Sequence, residues 1–132
     1  MKTTKSTFTA LIMASSTLLC QFLSAQTSAD YFNRGNEKGR LGDFEGAISD
    51  FTRAIQLNPK APYAYHNRGV AKKDFGDDKG AISDYSRAIE LDPKDAKAYY
   101  YRGNAKTSIG DTLGGMLDFN QAIALAPKIA GG

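Results

Sequence analysis

The segment GDFEGAISDFTRAIQLNP (residues 42–59) recurs as GDDKGAISDYSRAIELDP (residues 76–93) and, with more changes, as GDTLGGMLDFNQAIALAP (residues 110–127). Gly42, Gly76 and Gly110 stand 34 residues apart, and the same step carries Ala54 to Ala88 to Ala122 and Pro59 to Pro93 to Pro127. A fixed period of this length marks an array of stacked supersecondary units, each burying its apolar face against the next. Upstream of each segment the step is kept by YFNRGNEKGRLG from Tyr31, YHNRGVAKKDFG from Tyr65, and YYRGNAKTSIG from Tyr100, with Tyr99 in the matching first place.

Each unit reads as two helices, here called A and B. Helix A of the first unit is predicted from about Ala29 to Leu41, with Tyr31, Gly35 and the stem of Lys38 on one face. Helix B follows Gly42 and Asp43, where the carboxylate can cap free backbone N–H groups, and it stops at Asn58 and Pro59. Its apolar residues Ala47, Ile48, Phe51, Ala54, Ile55 and Leu57 return in the second unit as Ala81, Ile82, Tyr85, Ala88, Ile89 and Leu91. The unit is a helical hairpin.

The order Tyr31, Gly35, Ala47, Phe51, Ala54, Pro59, repeated as Tyr65, Gly69, Ala81, Tyr85, Ala88, Pro93, resembles the tetratricopeptide repeat. Three copies are expected at 28–61, 62–95 and 96–130. The resemblance implies an all-α fold, a right-handed superhelical solenoid of three antiparallel helical hairpins. Gly35 and Ala47 are small where helices A and B must approach, and the ring of Phe51 or Tyr85 fills the space around the crossing. A departure from the family pattern puts Arg34, Arg68 and Arg102 where Leu is usual, each followed sixteen residues later by Asp50, Asp84 and Asp118. In an antiparallel hairpin these partners lie equally far from the turn and can meet, and their recurrence in every unit marks a structural contact.

The third copy differs. Gly115 replaces the Ala, Gly114 precedes it, and helix B there is expected to fray first, since each Gly costs about 1 kcal/mol relative to Ala. After PKIAGG (residues 127–132) the sequence offers no polar helix to cover the third unit, which predicts an apolar face open to a partner.

Residues 1–25 have a different composition. Lys2 and Lys5 precede an apolar run from Phe8 to Leu23, and Leu23-Ser24-Ala25 has the form of a signal-peptidase site. A secretory signal peptide over 1–25 is expected, and with it an exported, periplasmic or secreted product; a membrane contact would come only through an uncleaved leader. Cleavage would remove Cys20, the single cysteine, and leave 15 basic against 14 acidic side chains. A mature charge near +1, with both signs interleaved, argues against a nucleic-acid partner.

Nothing in the sequence marks an enzyme. His66, the single histidine, lacks neighbouring acids, thiols or histidines and is expected at an exposed groove or surface position, and Asp74, Asp77 and Asp78 lack the spacing of a calcium loop. No cofactor and no metal are expected. What remains is a surface. In a stack of hairpins the A helices line the concave side, where extended peptides or partner helices bind. The positions expected to face inward are Phe32, Asn36 and Arg40, then Tyr63, His66, Asn67, Val70 and Lys73, then Lys97, Tyr100, Tyr101 and Asn104. This lining of aromatic, amide and basic groups suits a peptide whose backbone is held by the amides and whose side chains are acidic or aromatic. One subfamily of these repeats clamps a peptide's terminal carboxylate, and Asn36, Asn67 and Lys97 match its pattern by position. Phe32 and Tyr101 stand where that pattern has Lys and Arg, so two of its three charges are missing. A protein or peptide partner is expected, and self-assembly or complex assembly through the third unit is the alternative.

Overall fold

The computed structural model describes residues 26–126, so the expected leader and the stretch after residue 126 lie outside the described residues. Among the described residues there are six helices and no strand: α1 (Ser28–Arg40), α2 (Phe44–Leu57), α3 (Pro62–Phe75), α4 (Asp78–Leu91), α5 (Ala96–Ser108) and α6 (Thr112–Leu125). Helices α1, α3 and α5 are the A helices; α2, α4 and α6 are the B helices.

Local chemistry fixes the hairpin turns. Gly42, Gly76 and Gly110 take positive φ angles of 84°, 99° and 91°, a conformation that costs glycine nothing and most residues a steric clash. The next residue, Asp43, Asp77 or Asp111, accepts a hydrogen bond from the backbone N–H of Gly46, Gly80 or Gly114, each at 2.9 Å. Each B helix therefore starts two residues after an αL glycine, behind an Asp cap that satisfies one of its free N–H groups.

Close packing within each hairpin depends on one missing Cβ. A methyl group built on Gly35 would lie 2.8 Å from the Phe51 ring, and one on Gly69 would lie 2.8 Å from the ring of Tyr85, which is fully buried. The A helix thus rests directly on the aromatic ring of its B helix. Between hairpins, alanines do the same work: Ala71 packs with Ala47 and Phe51, Ala64 with Ile55, Ala105 with Ala81 and Tyr85, and Ala98 with Ala88 and Ile89.

The stack curves. Helix α1 touches α3 and α3 touches α5, whereas among the described residues the B helices do not touch one another. Neighbours closer on the A side than on the B side make the A face concave, as the stacking of hairpins predicts.

The third hairpin corrects one expectation. Gly114 is no extra weakness, because Gly46 and Gly80 hold the same place in the other hairpins and receive the same Asp cap. Gly115 is required by packing, since a Cβ there would meet Gly103 O at 2.9 Å and crowd the Thr107 hydroxyl. Thr107 stands where the first unit has Gly39, so a side chain gained on the A helix is matched by one lost on the B helix.

Candidate functional site

The recurrent Arg and Asp residues meet in all three hairpins. Arg34 donates from Nε and Nη2 to the two carboxylate oxygens of Asp50 at 2.8 and 2.6 Å; Arg68 binds Asp84 at 2.8 and 2.7 Å, and Arg102 binds Asp118 at the same distances. A second cation completes each cluster: Lys38, Lys72 and Lys106 lie 2.9, 2.9 and 3.0 Å from the same carboxylates. Two cations make burial of one carboxylate tolerable. The hydrogen bonds from Arg34 hold Asp50 down at about 2 in spite of its burial. Burial of Asp118 opposes its ionisation, but Arg102 and Lys106 together outweigh it and leave its pKa below the usual range. Arg68 also donates to Thr52 Oγ1 and Arg102 to Ser86 Oγ, both at 3.1 Å, which ties each hairpin to the one before. Sequence reasoning found the Arg/Asp contacts and missed the lysines, although Lys38, Lys72 and Lys106 recur in the same phase.

On the concave face the side chains fall into three groups. Asn36 on α1 and Asn67 on α3 join directly, the Asn67 amide nitrogen donating to Asn36 Oδ1 at 2.8 Å. With Val70 they border a recess of about 250 Å³ between α1, α2 and α3. Phe32 and Tyr63 form an edge-to-face pair with centroids 4.8 Å apart, Tyr63 remaining 47% exposed. His66, Lys97, Tyr100, Tyr101 and Asn104 line a larger cavity of about 770 Å³ together with Phe119, Ala122 and Ile123 of α6. Lys97 is exposed and makes no ion pair among the described residues, and Tyr100 is 50% exposed. Lys73 stands apart, with its ammonium 3.9 Å from Asp78 at the turn, and Arg40 pairs with Glu37.

His66 differs from its expected setting. Its ring is largely buried, edge-on to Tyr85 at 5.6 Å and to Tyr101 at 5.3 Å, with Nδ1 4.0 Å from Asp95. Burial lowers its pKa, Asp95 partly opposing and Lys97 adding to the effect, so the imidazole is neutral at pH 7. It follows Tyr65 by one position, and that register turns it toward the next hairpin. Nδ1 of His66 and the hydroxyl of Tyr85 are buried without a hydrogen-bond partner among the described residues. Burial also raises the Tyr85 pKa, which keeps the phenol neutral. The described residues hold no group of three or more His, Cys, Asp or Glu side chains placed to bind a metal, and none of their helices is long and apolar enough to cross a membrane.

A family model for the TPR repeat matches residues 35–74 and 73–110. The fold is similar to the second TPR of Spaghetti (RPAP3) bound to the HSP90 peptide SRMEEVD, at 30% identity and TM-score 0.74, covering 76% of this chain and 94% of that one. It is similar also to the Arabidopsis OM64 TPR domain, at 29% identity and TM-score 0.75, covering 79% and 86% of the two chains. The second TPR domain of human RPAP3, in complex with the HSP70 peptide SGPTIEEVD, matches at 29% identity and TM-score 0.74 over 78% and 86%. The likeness extends over all three hairpins as one right-handed solenoid. No curated protein sequence matches the chain.

Proposed function

This chain belongs to the tetratricopeptide repeat family, and on that premise we propose that it is a non-enzymatic binding module whose A-helix face takes an extended peptide with acidic or aromatic side chains. The observation that carries this is the Asn36–Asn67 pair joining two A helices that also carry the exposed ring of Tyr63, with the exposed Tyr100 and Lys97 on the third A helix. Their mutual bond uses one donor and one acceptor, so each amide keeps hydrogen-bonding capacity for a peptide backbone. Tyr63 and Tyr100 offer ring faces and edges at small entropic cost, and Lys97 supplies one charge for a carboxylate. Relatives of the same fold hold acidic peptides, SRMEEVD and SGPTIEEVD, which supports the acidic preference. With Phe32 and Tyr101 in place of two clamp charges, apolar contact replaces part of the ionic grip on a terminal carboxylate. The basic and apolar character of residues 1–25 supports an exported site of action; a purified mature chain beginning at Gln26 would test that directly.

A selection of random heptapeptides on the immobilised chain tests the groove. Enrichment of acidic and aromatic residues, lost on Asn67→Ala and Lys97→Ala variants with unchanged helical circular dichroism, supports the proposal. Equal enrichment on the variants would move the binding surface elsewhere. A second reading, assembly into a complex through the third hairpin, is favoured by the exposed side chains of Met116 and Ile123 on α6.

A further inference from the structure

The protein itself contains two filled copies of the surface that, among the described residues, its third hairpin leaves open. Helix α3 covers the first hairpin: Ala64 sits on Ile55 and Phe32, and Ala71 on Phe51, Ala47, Phe32 and Ile48. Helix α5 covers the second, with Ala98 on Ile89 and Ala88, and Ala105 on Tyr85 and Ala81. Both covering helices present two alanines seven residues apart, two turns along one face. The equivalent seat on the third hairpin is Tyr100, Gly115, Met116, Phe119 and Ile123. Ile55 and Ile89 are each 9% exposed, whereas Ile123 is 74% exposed and borders the cavity of about 770 Å³.

A second copy of the chain could continue the stack only by presenting α1, the A helix whose leading face no other described helix covers. There the two seat positions are Asp30 and Glu37, in place of Ala64 and Ala71. Both are exposed; Asp30 caps its own helix through Thr27, and Glu37 pairs with Arg40. Seating α1 on α6 would bury two carboxylates against isoleucine and phenylalanine where Lys97, on the wall of the same cavity, supplies a single cation for the two, so head-to-tail extension is opposed by charge burial.

We infer that the third hairpin docks an α-helix of another protein that carries two small apolar residues seven positions apart, in the manner of α3 on the first hairpin. This rests on the assembly reading; the seat shares Tyr100 and the cavity wall at Lys97 with the proposed peptide groove, whereas Asn36 and Asn67 border a different recess, so an Asn67→Ala chain should still bind the helix probe. The probe is a synthetic peptide copying residues 60–76, which contains Ala64 and Ala71, added in trans to the chain and followed by calorimetry. Saturable binding is expected, with affinity falling more than tenfold for a peptide carrying Ala64→Asp and Ala71→Glu, and more than tenfold for a chain carrying Ile123→Asp. Ile123 is exposed, so its variant should keep the helical spectrum of the parent. Absence of binding, or binding indifferent to Ile123→Asp, overturns the inference. A dimer of the chain that dissociates on Ile123→Asp while the peptide fails to bind would also overturn it in favour of a second copy, and would leave assembly through this face standing.

Discussion

Asn67 of α3 donates its side-chain amide to Asn36 of α1 at 2.8 Å, a side-chain hydrogen bond joining two neighbouring A helices on the concave face. It fixes the orientation of both amides before any partner arrives, and preorganisation of this kind raises affinity by reducing the ordering cost of binding. Asn67→Ala and Asn36→Ala should each weaken peptide binding, and the double variant should lose less than the sum of the two. Since Asn36 is exposed, the unfolding free energy of each single variant should change by less than about 1 kcal/mol, measured by urea titration.

Two glycine replacements on A helices should move stability in opposite directions. Gly69→Ala drives a methyl group to 2.8 Å from the fully buried Tyr85 ring and should cost roughly 1 to 3 kcal/mol. Gly39→Ala meets only the Cβ of Ala47 at an ordinary 3.8 Å and should stabilise by about 0.5 kcal/mol through helix propensity. Thermal melts of the two single variants decide both.

The ion clusters should rank by exposure. Arg68 is 17% exposed and anchors Thr52 as well as Asp84, whereas Arg34 is 41% exposed. Arg68→Met should therefore destabilise by roughly 2 kcal/mol, because Asp84 stays buried with Lys72 alone. Arg34→Met should cost less, and equal losses would mean that exposure does not set the ranking.

Acid should loosen the hairpins in a defined window. Asp50 ionises in the folded chain at about 2, below its ordinary 3.8, and Asp118 is lowered in the same direction. A carboxylate depressed on folding contributes fully above its unfolded value, and that contribution is lost as pH falls through its folded value. Urea midpoints should hold steady above about pH 5 and fall from pH 4 toward 2. The Asp50→Asn variant should begin less stable and fall less steeply.

Much of this architecture is legible from periodicity alone. Three glycines in one phase mark the turns, and the sixteen-residue spacing of Arg68 and Asp84 is enough to place them across a hairpin. The buried setting of His66 is not legible, because it depends on which faces of α3, α4 and α5 meet, and no repeat partner shares its chemistry: the matching positions are Phe32 and Tyr100. The need for Gly115 is hidden for a related reason, since it answers Thr107 on a different helix, and a position-by-position comparison of the units registers only a lost alanine. The lysines on the Asp clusters were open to detection, but each lies a full turn beyond its arginine, outside the paired pattern that draws attention.

The most direct test of groove binding is a nitrogen-15 chemical-shift map of the chain titrated with a peptide recovered from the heptapeptide selection. The groove account predicts that the largest shifts fall on α1, α3 and α5, centred on Asn36, Tyr63, Asn67 and Lys97, and that Tyr63→Ala removes them while the melting temperature barely moves. Shifts concentrated on α2, α4 and the outer face of α6, with the Tyr63→Ala variant binding as the parent does, would contradict it.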